Sequence, residues 1–167
     1  RAMIAIALIC EPELLIADEP TTALDVTIQA QIIDLLFELS SRTGTALLFI
    51  THDLGVIAET CTRMLTMYAG EVVEDAPVDA ALERPRHPYT SGLLRSIPRL
   101  SRRKTVLPSI PGRVPSLTDM PAGCRFRPRC AHGTPECAAT QNLVDVSAER
   151  RARCVRQASL DLPGAIA

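Results

Sequence analysis

Apolar residues run without interruption from Ala2 to Cys10, and Glu11-Pro12-Glu13 then breaks the run. A residue before proline is biased away from helical angles, so the pattern predicts a helix that ends before Leu14. Leu14, Leu15, Ile16 and Ala17 are apolar on both faces, as in a buried strand, and Asp18, Glu19 and Pro20 close it. Farther on, Ile28, Ile32, Ile33, Leu36 and Leu39 recur at helical spacing while Gln29, Gln31, Asp34 and Glu38 fill the other face. This predicts an amphipathic helix ending near Thr43-Gly44. Thr45 to Thr51 reads as a second buried strand, with His52-Asp53 at its end where the first has Asp18-Glu19. Strand, polar pair and helix in repetition are the βαβ rhythm of a parallel sheet, so the fold class is α/β. Ligands of such sheets bind beyond the carboxyl ends of the strands, which directs both polar pairs to one crevice. After a helix over Leu54 to Cys61, the run Met64 to Tyr68, the turn Ala69-Gly70 and Glu71 to Glu74 predict a hairpin closing the sheet edge.

The pattern then changes. Of the 13 prolines, ten lie between Pro77 and Pro135, where they fix backbone angles and remove donors. Residues 1–83 carry three Arg/Lys against fourteen Asp/Glu, whereas residues 84–167 carry fifteen against five. Two parts of different character are joined near residues 77–87, which divides the chain into 1–83 and a smaller, irregular, Cys-rich extension over 84–167. Arg84-Pro85-Arg86-His87-Pro88-Tyr89-Thr90-Ser91-Gly92-Leu93-Leu94 opens the extension as a helix start, with Pro88 in the first turn and Leu93, Leu94 and Ile97 on one face. In that reading His87 and Tyr89 are structural. The basic run Arg99 to Lys104 comes without aromatic neighbours, and aromatics are 3% of the chain, so it reads as a solvated face or a lipid-headgroup patch rather than a nucleic-acid platform.

A hydrophobic fraction of 47% excludes disorder as the default state, and the run Ala2 to Cys10 is too short to span a bilayer. Arg1 stands where an initiator Met is expected, so the chain reads as a piece of something longer. The first half lacks the Cys-dense texture of a secreted scaffold, which points to a reducing, cytoplasmic location. Cys10 and Cys61 lie in apolar helical surroundings and read as ordinary buried thiols. Cys124, Cys130, Cys137 and Cys154 gather among prolines and arginines with few apolar residues between them, a segment that needs a staple. Four cysteines suit a [4Fe–4S] cluster or structural zinc, although the paired C-x2-4-C knuckles usual for zinc are absent. Disulfides or unligated thiols also stay open. Arg125, Arg127, Arg129 and Arg153 offset thiolate charge, and His132 is either a substitute zinc ligand or a solvated loop residue.

An apolar strand ending in Asp-Glu is the Walker B pattern of P-loop ATPases, in which the Asp serves Mg²⁺ and the next carboxylate polarises the attacking water. The string Asp18-Glu19-Pro20-Thr21-Thr22-Ala23-Leu24-Asp25, followed by a second strand ending in Thr51-His52-Asp53, resembles the ATPase subunit of ABC transporters. By that resemblance Asp18 binds Mg²⁺, Glu19 is the catalytic base, Asp25 is the D-loop residue that signals across the ATPase dimer, and His52 contacts the γ-phosphate of ATP. The H-P-Y-T string at His87 to Thr90 and the stretch Asp25 to Gln31 are similar to the peptide and nickel importer branch of that family. That branch carries a Cys quartet associated with [4Fe–4S]. The resemblance implies a second ATPase subunit in a head-to-tail dimer, two membrane permeases, an extracytoplasmic substrate-binding protein and a place on the cytoplasmic face of the membrane. No G-x-x-x-x-G-K-[ST] phosphate loop and no L-S-G-G-Q-type signature occurs in the chain, so no ATP turnover is expected of residues 1–167 alone. The rival readings are a non-transport ABC ATPase and a free-standing Fe–S or zinc module.

Overall fold

The structure is a computed structural model that describes residues 2–22, 24–97 and 108–165. The chain forms two compact units, Arg1–Thr60 and Cys61–Ala167. The basic run Arg99 to Lys104 lies outside the described residues, apart from which no described helix is long and apolar enough to cross a membrane.

The first unit holds α1 (Ala2–Leu8), β1 (Leu14–Asp18), α2 (Val26–Thr43), β2 (Ala46–Ile50) and α3 (Leu54–Thr60). Strands β1 and β2 pair in parallel with Leu14 opposite Ala46 and Asp18 opposite Ile50, so the two polar pairs follow adjacent strand ends. Helix α2 starts where the Asp25 carboxylate accepts the backbone N–H groups of Thr27 and Ile28, and it stops at Gly44, whose φ of 73° suits a residue without Cβ. Its stripe Ile32 and Leu36 packs on Ala17, with Ile4, Leu15, Leu47 and Phe49 around them. The strands are buried on this one face only. Ile16, Leu48 and Ile50 on the other face are 58%, 43% and 44% exposed, which corrects the expectation of strands buried on both sides. Alternation assigns residues to two faces, and in this unit only one of them meets a helix.

The second unit holds β3 (Arg63–Tyr68), β4 (Glu71–Pro77), α4 (Val78–Glu83), α5 (Pro88–Arg95), three short 3₁₀ turns, β5 (Val144–Ser147) and β6 (Arg150–Ala152). The predicted hairpin forms, and Ala69 and Gly70 turn it with φ of 48° and 83°. It does not close the parallel sheet. Instead β3-β4-β6-β5 make a separate antiparallel sheet. Charge explains the pairing: Glu74 is bridged to Arg150 at 2.6 Å, and Asp75 to Arg151 at 2.6 Å and Arg63 at 2.7 Å. Burial works against the Asp75 charge, but the two guanidiniums hold its carboxyl below the usual range. The compact units therefore divide before the hairpin, although the composition breaks after it, because the acidic hairpin joins the basic segment that neutralises it. The core here is Tyr68, Val73 and Phe126, with Tyr68 edge-on to Phe126 at 5.1 Å and to Tyr89 at 4.7 Å.

Two thiols depart from expectation. Cys10 is exposed in the turn beyond α1, and Cys61 is half-buried between α3 and β3, because both helices end before reaching them.

Candidate functional site

In the first unit Asp18 is the last residue of β1, and Glu19 follows with its N–H donating to the Ile50 carbonyl at 2.9 Å. Glu19 has φ of 43°, a left-handed angle that costs a non-glycine residue energy and marks constrained sites. Its side chain is held from two sides. Thr22 Oγ1 donates to Oε2 at 3.0 Å, and His52 Nδ1 lies 3.2 Å from Oε1. The Thr22 hydroxyl first, then His52, holds the Glu19 carboxyl below the usual range. Facing an ionised carboxylate, His52 donates through Nδ1–H, which leaves Nε2 as its outward nitrogen. The two residues come together because β1 and β2 end in register.

Asp25 stands apart from this pair as the cap of α2, bonded to Thr27 N at 3.1 Å and Ile28 N at 3.0 Å. Asp53, the second member of the His52-Asp53 pair, accepts the Gly55 N–H at 2.9 Å and so opens α3. Asp18 lies at the rim of a cavity of about 880 Å³ whose lining is otherwise apolar except for Gln31. That cavity carries no set of donors for a phosphate. Thr22 is the member of the site that the sequence reading missed, and its signal was its position three residues beyond the carboxylate.

The second unit brings together all four extension cysteines. Cys124, Cys130, Cys137 and Cys154 line one small cavity, of about 10 Å³, with His87, Phe126 and Arg127 among the other lining residues. Cys124, Cys130, Cys137 and Cys154 are not joined in disulfides. The Cys124 N–H donates to the Cys137 carbonyl at 2.9 Å, tying two of the turns together. Backbone N–H groups face three of the sulfurs: those of Phe126 and Arg127 at Cys124, of His132 at Cys130 and of Arg156 at Cys154. Burial nevertheless pushes the Cys124 and Cys130 thiols up, and Cys154 up to about 11, with the neighbouring thiols adding to the rise. Among the described residues no group of three or more His, Cys, Asp or Glu side chains is arranged to hold a metal ion.

The arginines divide their duties differently from the sequence reading. Arg125 binds Glu71, Arg129 binds the carbonyls of Ile110 and Pro111, and Arg153 binds those of Val72 and Gln141. Arg127 and Arg156 are the two cations that line the Cys cavity, and His132 is an exposed loop residue at its edge. His87 is 1% exposed. Its Nδ1 accepts the Tyr89 N–H at 3.1 Å to cap α5, and its own N–H donates to Glu74 Oε2 at 3.0 Å. Burial pushes the imidazole down to about 3, so the ring is neutral.

Residues 73–137 match the family described as oligopeptide/dipeptide transporter, C-terminal region. A peptide import ATP-binding protein of Brucella ovis is 55% identical over 163 residues, 93% of this chain and 48% of that protein. The dipeptide transport ATP-binding protein DppD of Escherichia coli is 50% identical over 155 residues, 92% of this chain and 47% of that protein. The oligopeptide transport ATP-binding protein AppD of Bacillus subtilis is 51% identical over 155 residues, with the same coverage of 92% and 47%. The chain spans about half the length of the curated relatives it matches. Over that half, the chain is similar to peptide-import ATP-binding proteins, and its residues 73–137 carry the C-terminal region of the oligopeptide/dipeptide transporter family.

Proposed function

We propose that this chain supplies the hydrolytic carboxylate, the histidine and the C-terminal extension of an ATP-hydrolysing subunit that drives peptide uptake through an ABC importer. The observation that carries the reading is the contact of Glu19 with His52 across the ends of two paired parallel strands, 3.2 Å between Oε1 and Nδ1. Asp18 would hold Mg²⁺; one carboxylate suffices, since this ion keeps waters and takes its other ligands from phosphates. ATP bound with the metal supplies the phosphoryl group that leaves to water. Glu19, kept ionised, would accept the proton of that water, and His52 orients the carboxylate through Nδ1–H, leaving Nε2 as the nitrogen that would contact the γ-phosphate. Asp25 caps α2 and, in the assembled enzyme, answers to the facing subunit. The partners of the reading are a second ATPase subunit, two permeases and an extracytoplasmic binding protein, and its location is the cytoplasmic face of the membrane. Peptides are the cargo, in keeping with the names of the relatives; these names lend no support to nickel.

The test is made on the full-length protein. Glu19→Gln retains nucleotide affinity and loses about 10²–10⁴-fold in turnover, the usual size of a general-base contribution. Turnover like that of the unmodified protein removes Glu19 from the role.

The Cys cavity is proposed to hold a [4Fe–4S] cluster with a structural task. Four free thiols around one cavity fit its donor set, three of them face backbone N–H donors of the kind that stabilise cluster sulfurs, and Arg127 and Arg156 offset its charge. Zinc is the second reading, less favoured because the paired C-x2-4-C knuckles usual for it are absent from the sequence. When bound, the cluster would supply cross-links between the turns that carry the four thiolates. Anaerobically purified protein is then brown, with about four irons and four sulfides per chain. Stoichiometric zinc without sulfide, or protein without metal, overturns the cluster.

A further inference from the structure

His52 depends on its backbone for its place. Its side chain is 85% exposed, so packing contributes little to the orientation of the ring, and the hydrogen bond that orients it is the one to Glu19. At 3.2 Å, Nδ1 to Oε1 is at the long end of the range for a nitrogen donor, and a small shift of the His52 backbone loses it. That backbone lies in the short link between Ile50, the last residue of β2, and Leu54, the first of α3. The strand side of the link is anchored, because the Ile50 carbonyl accepts the Glu19 N–H at 2.9 Å. The helix side is anchored too, since the Asp53 carboxylate accepts the N–H groups of Gly55 and Val56 at 2.9 and 3.4 Å. Between these anchors the Asp53 N–H, part of the peptide that leaves His52, donates to Thr51 Oγ1 at 3.0 Å. This bond closes a ring of atoms that contains both rotatable backbone bonds of His52, so the Thr51 hydroxyl oxygen restrains its φ and ψ together.

We propose that Thr51 is a positioning residue for ATP hydrolysis: by holding the Asp53 N–H, its hydroxyl oxygen fixes the His52 backbone in the geometry at which Nδ1 meets Glu19. The proposal rests on the ATPase reading above and adds to it a residue that acts through His52. Thr22 and Thr51 then serve the same pair from opposite sides, one by donating to the carboxylate and the other by accepting from the backbone beside the histidine. A misplacement of about 1 Å in a site of this kind can cost about 10²-fold in rate, and a turn that is unclamped but still anchored at both ends is misplaced only part of the time.

The test is made on the full-length protein with Thr51→Val, which keeps the shape and removes the oxygen, and Thr51→Ser, which keeps the oxygen. Thr51→Val lowers kcat about tenfold while KM for ATP changes less than about twofold, and Thr51→Ser recovers most of that loss. In a His52→Ala background Thr51→Val costs nothing further, because a residue that acts only through His52 has nothing left to position. A full additional loss in that background, or a kcat in Thr51→Val like that of the unmodified protein, overturns the proposal. Amide hydrogen exchange of the unmodified protein reads the clamp without any variant. The Asp53 N–H is protected although Asp53 is exposed, and exchange at the rate of an unbonded amide overturns the proposal even where Thr51→Val does not fold. Unimpaired hydrolysis in His52→Ala defeats the reading of His52 and the proposal together. Slowed hydrolysis in His52→Ala beside an unaffected Thr51→Val defeats only the proposal.

Discussion

Glu19 shows how much chemistry a single backbone angle sets. Its left-handed φ turns the side chain back from the end of β1 so that Thr22 and His52 reach one carboxylate oxygen each. Both bonds favour the charged form, and a base must be charged to accept a proton. Removing Thr22 as donor, in Thr22→Val of the full-length protein, therefore raises the Glu19 pKa. The acid limb of its pH–turnover profile moves to higher pH, while the alkaline side is unchanged; an unmoved acid limb shows that another group sets it. His52→Ala slows hydrolysis more than it weakens binding, because a contact to charge that develops in the transition state is worth most there. Equal losses of ADP and ATP affinity in that variant contradict the assignment. Asp18, Glu19 and His52 were legible in the sequence because each ends an apolar run, where period and punctuation coincide. Thr22 was not, because a hydroxyl that holds a carboxylate has no pattern of its own.

At the scale of elements, α2 was the most legible part of the chain. Its apolar stripe and its Gly44 stop agree with one another, and local signals that agree leave few alternatives; the Asp25 cap that opens it came only with the structure. The cap gives Asp25 a duty separable from any signal to a facing subunit. Asp25→Ala loses the bonds to Thr27 and Ile28 and costs about 1 kcal/mol of stability, whereas Asp25→Ser keeps a capping oxygen and costs a few tenths or less. Thermal denaturation of both variants checks this, and a signalling role for the carboxylate shows as lost turnover in the stable Asp25→Ser. The hairpin β3-β4 was foreseen as an element but assigned to the wrong sheet. Period-2 alternation identifies a strand, while its neighbour is chosen by partners far away, here Arg150 and Arg151. The gathering of the four cysteines was legible from their number. The arrival of His87 among them was not, since it depends on Glu74 holding a turn that the sequence places far from every one of those cysteines.

For the molecule as a whole, two units of unlike construction follow each other along one chain. The first rests on one helix-covered face of a pair of strands, the second on a small aromatic core, buried ion pairs and the turns around the Cys cavity. On the cluster reading proposed above, residues 108–157 are expected to depend on the group that joins their thiols. Cys130→Ser, or removal of the metal by a chelator, makes this segment sensitive to limited proteolysis while residues 2–60 stay resistant, as mass spectrometry of the fragments records. A segment that stays protected after metal loss shows that its ion pairs and aromatic core hold it unaided.

The bridge from Glu74 to Arg150 spans 76 positions of sequence. On a ribosome adding about 5–20 residues per second, β4 waits roughly 4–15 s for the strand that completes its sheet. During that interval the acidic hairpin is a two-stranded ribbon in water, and such ribbons are at best marginally stable. The second unit thus closes late and from its far end, when Arg150 and Arg151 reach carboxylates made seconds earlier.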